Sequence, residues 1–349
     1  MEFECIVVAS HLRYDGVRQR PHHIVSRLAR RCPVLFVEEP FAAASDENET
    51  FARDDLTVLR PRRRAADDLV DASTRSAVAR WTGARRALFW IYSPMLSAVT
   101  DVRPEAPVVY DCMDELANFA FAPASMRERE RATLARAVVV FAGGRSLYDA
   151  RRALGPKVRL EPSGVEFERF AGAATLAAHP LFAHLERPLC AYVGVIDERI
   201  DLAIVARLAE RVPSVALVGP VVKIEPRAVP RRANVHCTGQ MPYAELPALL
   251  AGCDVAIMPF AHNAATASIS PTKTLEYLAA GKPVVSTRVA DVVADFGDVV
   301  TLADGPEAFA EACARIHPDS QRAERGAAIA RDHGWDAIVA RMWAALERE

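Results

Sequence analysis

The sequence predicts an α/β protein built from two doubly wound domains, and three observations predict it. Short apolar runs alternate with amphipathic stretches from one end of the chain to the other. The runs are apolar at odd and even positions alike, as strands covered by helices on both faces must be. The 349 residues exceed what one compact core usually serves, and the alternation breaks near 170–188, where Ala, Gly, His and Pro intervene.

Taken in order, the first strand candidates are 5–9, 34–37, 87–92, 108–110, 137–141 and 158–160. A second series follows at 189–193, 215–218, 255–258, 284–286 and 299–302. Helical patterns lie between them, as at 124–136, 202–211 and 272–280. Strands and helices in alternation imply parallel sheets with right-handed crossovers. Ligands bind such sheets beyond the carboxyl ends of the strands, so two domains facing each other would enclose a cleft. The expected domains are 1–170 and 171–332. The last helix, within 333–349, should cross back to the first domain, because the second is complete without it. The stretch 42–66 reads as exposed loops around one short strand, 56–59. The two halves share no obvious sequence repeat.

Composition removes several function classes. The net charge is −2, which argues against a nucleic-acid binder. The seven cysteines form no CxxC pair and most sit in apolar runs, as buried thiols in a reducing compartment do. The first apolar run is short and follows Glu2 and Glu4, unlike a signal peptide. No run of roughly 18 apolar residues is present. The expected location is cytoplasmic, with room for a peripheral position on the inner membrane face. Only four basic residues are lysine, at 157, 223, 273 and 282, so each is worth following.

The segment 268–287 carries the most chemistry. Ser270 is a candidate N-cap, Pro271 and Thr272 suit the first turn, and Gly281 ends the helix. A helix start beyond a strand end offers free N–H groups to an anion. Lys273 and Glu276 stand three apart on one helical face, a cation for phosphate beside an acceptor for sugar hydroxyls.

This segment resembles the donor-binding signature S-P-x-K-x-x-E-Y-x-A-x-G-x-P-V-V of GT-B glycosyltransferases. The resemblance is to the family-4-like group, glycosyl transferases group 1, and to its exopolysaccharide and teichuronic-acid branch. It implies two facing Rossmann-like domains and transfer from a nucleoside-diphosphate sugar, a UDP-sugar first, to a saccharide, lipid-linked or small-molecule hydroxyl. It also implies that the helix start at Ser270, Pro271, Thr272 and Lys273 holds the diphosphate, while Glu276 takes the ribose hydroxyls. Many relatives carry a second glutamate eight positions earlier; here that position is Ser268. The loop after 189–193 supplies Gly194 and Arg199, the latter where the family places a cation against the diphosphate. Lys223 is a further candidate on the next loop, and 239–243 resembles the loop beside the base.

In the first domain, Tyr110-Asp111-Cys112-Met113-Asp114-Glu115 matches a Y-D-x-x-D-E pattern of the same branch. Asp111 is the expected cleft-facing catalytic carboxylate, with helix capping as the alternative. His22 is the second catalytic candidate, on a loop whose Arg20 could meet the diphosphate or an anionic acceptor. The turn 163–166 resembles the family's interdomain hinge. No D-x-D triplet and no His/Cys cluster at metal spacing occurs, so no metal or other cofactor is expected. Arg60–Arg64 and the surroundings of Trp81 with Arg85 and Arg86 could touch anionic lipid; a solvated basic loop is the alternative. Two rival functions remain open at this point: a UDP-sugar epimerase of the same shape, and a non-catalytic nucleotide-sugar-binding partner in polysaccharide assembly.

Overall fold

The computed structural model describes residues 3–64 and 69–348. The chain forms two compact units. One comprises Met1–Ala117, Phe121–Pro162 and Asp336–Glu349; the other comprises Ser163–Trp335 with the three residues Asn118–Ala120.

The first unit is organised by a nine-stranded sheet. Its strands are β1 (Cys5–Ser10), β2 (Val34–Glu38), β3 (Phe41–Ala42), β4 (Glu47–Arg53), β5 (Leu56–Arg63), β6 (Ala87–Ile91), β7 (Val108–Cys112), β8 (Val139–Ala142) and β9 (Val158–Leu160). They run in the order β3-β5-β2-β1-β6-β7-β8-β9, all parallel, with β4 antiparallel at β5. Every residue of β1, β2, β6, β7 and β8 is buried, which is why their sequences carry no polar alternation. The strand order reverses between β1 and β6, so the carboxyl ends of these two strands mark the switch point.

The second unit holds six parallel strands: β10 (Leu189–Val193), β11 (Ser214–Val218), β12 (Val235–Gly239), β13 (Val255–Met258), β14 (Val284–Ser286) and β15 (Thr301–Leu302). Their order is β12-β11-β10-β13-β14-β15, the doubly wound 3-2-1-4-5-6 arrangement, with its switch point between β10 and β13. The α/β class and both parallel sheets agree with the sequence pattern. β12 escaped it because Val-His-Cys-Thr-Gly is a half-covered edge strand with polar positions.

The expectation for 42–66 needs correction over its described part; residues 65 and 66 lie outside the described residues. β4 and β5 form an antiparallel hairpin, paired from Glu47 opposite Arg62 to Arg53 opposite Leu56. Nor is the basic run a free cationic surface. Arg60 donates from Nε to Glu38 at 2.6 Å and from Nη2 to Asp15 at 2.9 Å. Arg63 is buried against Asp71, Asn48 and Thr74. Arg85 stacks on Trp81 at 4.3 Å. These guanidinium groups are spent on partners within the unit, which removes support for the lipid-facing reading. Among the described residues no helix is long and apolar enough to cross a membrane.

Residues 336–349 belong to the first unit. Along the helix Trp335–Leu346, Ile338, Val339, Met342, Ala345 and Leu346 are buried at helical spacing. Arg27 pairs with Asp336 at 3.0 Å and Arg341 with Glu161 at 3.0 Å, while Phe3 meets Trp343 edge-on. Two of the lysines close helix ends. Lys157 Nζ donates to the carbonyls of Leu134 and Ala137, and Lys282 Nζ to those of Cys253 and Ala251. Cations there offset the negative end of the helix dipole.

Candidate active site

The donor candidates gather at the carboxyl ends of β10, β11 and β13. The helix spans Thr272–Ala279, with its N-cap one residue later than expected. Pro271 occupies the N-cap position in an extended conformation, and no side chain caps the helix, so Ser270 is not the cap. Proline fixes the chain for entry into the helix but supplies no side-chain acceptor to cap it. At the other end Gly281, at φ +65°, donates to Leu278 O and Lys282 N donates to Tyr277 O, the paired bonds of a Schellman motif. Tyr277 is buried and its hydroxyl accepts from Val193 N at 2.8 Å, which fastens the helix to the end of β10.

Two glycines allow the loops beyond β10 and β11 to lie on each other. Gly194 N donates to Val218 O at 2.7 Å. A Cβ on Gly219 would overlap Gly194 O, and one on Gly194 would overlap the Lys273 side chain and approach Tyr192 Oη to 2.8 Å. Lys273 therefore reaches across the backbone of the β10 loop, and Gly194 is what lets it pass.

Glu276 shares a helix face with Lys273. Burial pushes its carboxyl up to about 7, against the pull of Lys273 and with the push of Glu166. Its surface is only partly covered, but the packing around the carboxyl dominates. Arg199 is gripped by buried Asp197 through Nε, at 2.9 Å, and Nη2, at 2.7 Å. Asp201 caps the helix Leu202–Leu208. Lys223 is exposed, in the left-handed region at φ +61°. Arg199 and Lys223 both stand over the ring of Phe119, at 5.5 and 4.9 Å. Phe119 was missed in the sequence because nothing about an apolar residue 80 positions upstream of Arg199 announces that meeting.

In the first unit, Asp111, the expected cleft-facing carboxylate, stands near the end of β7 and is fully buried. Its Oδ1 accepts from Arg20 Nε at 2.9 Å and its Oδ2 from Trp90 Nε1 at 3.2 Å. Burial raises its pKa and Arg20 opposes the rise. It caps no helix either, because it lies within the strand. Arg20 is itself buried and also donates to Glu161 O at 2.8 Å.

His22 needs a second correction. Its Nδ1 accepts from Gln19 N at 3.0 Å and its Nε2 donates to Arg13 O at 2.9 Å. It forms half of a capping box at the start of the helix Arg20–Leu28. Burial lowers its pKa, and both ring nitrogens are engaged by main-chain groups. Among the described residues no group of three or more His, Cys, Asp or Glu is placed to hold a metal ion.

In this doubly wound sheet the helix start, Lys273 and Glu276 come together beside the switch point. Residues 187–319 match the family described as glycosyl transferases group 1. The chain is 25% identical over 281 residues to the putative teichuronic acid biosynthesis glycosyltransferase TuaH of Bacillus subtilis, covering 72% of this chain and 70% of that one. Its fold resembles that of sucrose-phosphate synthase from Thermosynechococcus elongatus, with a TM-score of 0.77 and 15% identity over 99% of this chain and 98% of that one. It also resembles Anabaena HepE in complex with UDP and glucose, with a TM-score of 0.73 and 15% identity over 99% and 100% of the two chains.

Proposed function

We propose that the chain transfers a sugar from a UDP-sugar to a hydroxyl of a saccharide acceptor, free or lipid-linked, during assembly of a cell-envelope polysaccharide. The observation that carries the donor reading is the placement of Lys273 and Glu276 on one face of an uncapped helix start, with Lys273 crossing Gly194. Cleavage of the bond between the anomeric carbon and the diphosphate leaves growing negative charge on the leaving oxygen. The N–H groups at Thr272 and Lys273, the Lys273 ammonium and Arg199 would stabilise that charge. Glu276 would accept from the ribose hydroxyls. The solved HepE complex with UDP and the teichuronic acid biosynthesis in the TuaH name support this donor and acceptor class. Nucleotide sugars are made in the cytoplasm, which is where the reaction would run.

In the first unit, Asp111 is a positioning residue in this reading: it fixes Arg20 at the switch point rather than taking a proton itself. The test is calorimetric titration with UDP, UDP-glucose and GDP-mannose, followed by mass analysis of products with and without saccharide acceptors. Selective binding of the uridine nucleotides and an acceptor-dependent product are expected. A changed nucleotide sugar formed without acceptor would replace the proposal with epimerisation, and no binding of any nucleotide would overturn it.

A further inference from the structure

The three residues Asn118–Ala120, which leave the first sheet's sequence after β7, group with the second unit. Each of them makes a separate contact with a donor loop. Asn118 Nδ2 donates to Ala264 O at 3.2 Å, on the loop after β13. Ala120 N donates to Glu198 Oε1 at 3.3 Å, on the loop after β10. Phe119 turns its ring to Arg199, also on the β10 loop, and to Lys223, on the loop after β11. The three loops assigned to the donor are thus bridged by one tripeptide.

We propose that Phe119 is a displaceable occupant of the diphosphate position, holding Arg199 and Lys223 together and yielding them to the nucleotide. The inference rests on the donor reading above. An anion shared by these two cations must lie within about 4 Å of both, on the side they have in common. That side is filled by the ring, whose centroid stands 5.5 Å from the Arg199 guanidinium carbon and 4.9 Å from Lys223 Nζ. The negative face of the ring reduces the repulsion of two neighbouring cations, but far less than a diphosphate does. Arg199 cannot follow the ring away, because Asp197 grips it through two nitrogens. Lys223 is held in a left-handed backbone conformation that non-glycine residues seldom adopt, and such strain gathers at ligand sites and switch segments. The neighbouring Phe121 is also at positive φ and 85% exposed, so the strap that carries Phe119 is not locked by a core of its own.

The test compares UDP binding by the intact protein and its Phe119→Ala variant. Two cation–π contacts, lost before binding rather than during it, predict UDP affinity about 5- to 30-fold higher in the variant. A Phe119→Trp variant reads the same event optically: its added emission should shift to the red when UDP saturates the site and the indole enters water. Unchanged or weaker UDP binding by Phe119→Ala, or no spectral change in Phe119→Trp at saturating UDP, overturns the inference and leaves the donor reading intact. If the wild-type protein and both variants bind no nucleoside diphosphate, the donor reading fails and takes this inference with it.

Discussion

Lys273 lies where a side chain on Gly194 would begin: its Nζ is 2.7 Å from the position of a Cβ on that glycine. Sequence separation of 79 residues is closed by the register of β10 beside β13 and by the bond from Val193 N to Tyr277 Oη. Gly194→Ala should therefore displace the ammonium and press on Tyr192. Overpacking of this kind costs about 1–3 kcal/mol. The expected outcome is at least a tenfold loss of UDP affinity with a fall of a few degrees in Tm, read by titration and thermal denaturation of one preparation.

Lys273→Met keeps the apolar stem and removes the charge. Loss of one electrostatic donor in comparable sites costs about 2.7–4 kcal/mol in the transition state. A drop in kcat on the order of 100- to 1000-fold, with Tm nearly unchanged, is expected from steady-state assays. A wild-type rate in this variant would remove Lys273 from the reaction.

The position of the Glu276 titration gives donor binding a pH dependence. A ribose hydroxyl donates to the ionised carboxylate, so UDP affinity should rise as pH increases through about 7. Glu276→Gln should bind more weakly and lose that rise. For the empty protein the sign is opposite. A carboxyl raised from 4.5 to about 7 holds its proton more tightly when folded, so its contribution to stability declines as pH rises between those values.

The Arg20–Asp111 pair is a buried ion pair, and breaking one side of such a pair costs about 3–5 kcal/mol. Asp111→Ala should lose stability and activity together, with a lower denaturant midpoint. The double variant Arg20→Met with Asp111→Leu should recover much of the stability without recovering activity. Should Asp111→Ala keep its midpoint while losing turnover, Asp111 would act on substrate directly instead of through Arg20.

The capping-box role of His22 makes a milder forecast. His22→Ala should cost about 1 kcal/mol, the usual value of a lost cap. Its pH–rate profile should match that of the wild type, since both ring nitrogens are held by main-chain groups. A vanished limb in that profile would restore His22 as a proton carrier.

Legibility in the sequence followed distance along the chain. β1, β6 and β10 could be read because complete burial leaves an unbroken apolar run. Lys273 and Glu276 could be paired because three residues on a helix fix their shared face. The hairpin β4–β5 was hidden by its exposed edge, where Glu49, Arg60 and Arg62 look like loop. Ser270 read as the cap because serine favours that position, but the backbone places Pro271 there. The fates of Asp111, Arg60 and Arg199 depended on partners that only folding supplies: Arg20 is 91 positions from Asp111, and Phe119 is 80 from Arg199.

Val165 N donates to His333 O at 2.9 Å, and Val165 bridges to Gly334, so the segment Ser163–Trp335 closes on itself where it begins. With 336–349 returned to the first unit, this segment has the topology of an insert spliced into a host. Such modules can be exchanged between proteins through a single pair of neighbouring junctions, without rewiring either sheet. Donor choice could thus be transplanted as a cassette, whereas shortening the chain from its carboxyl end would damage the host domain first.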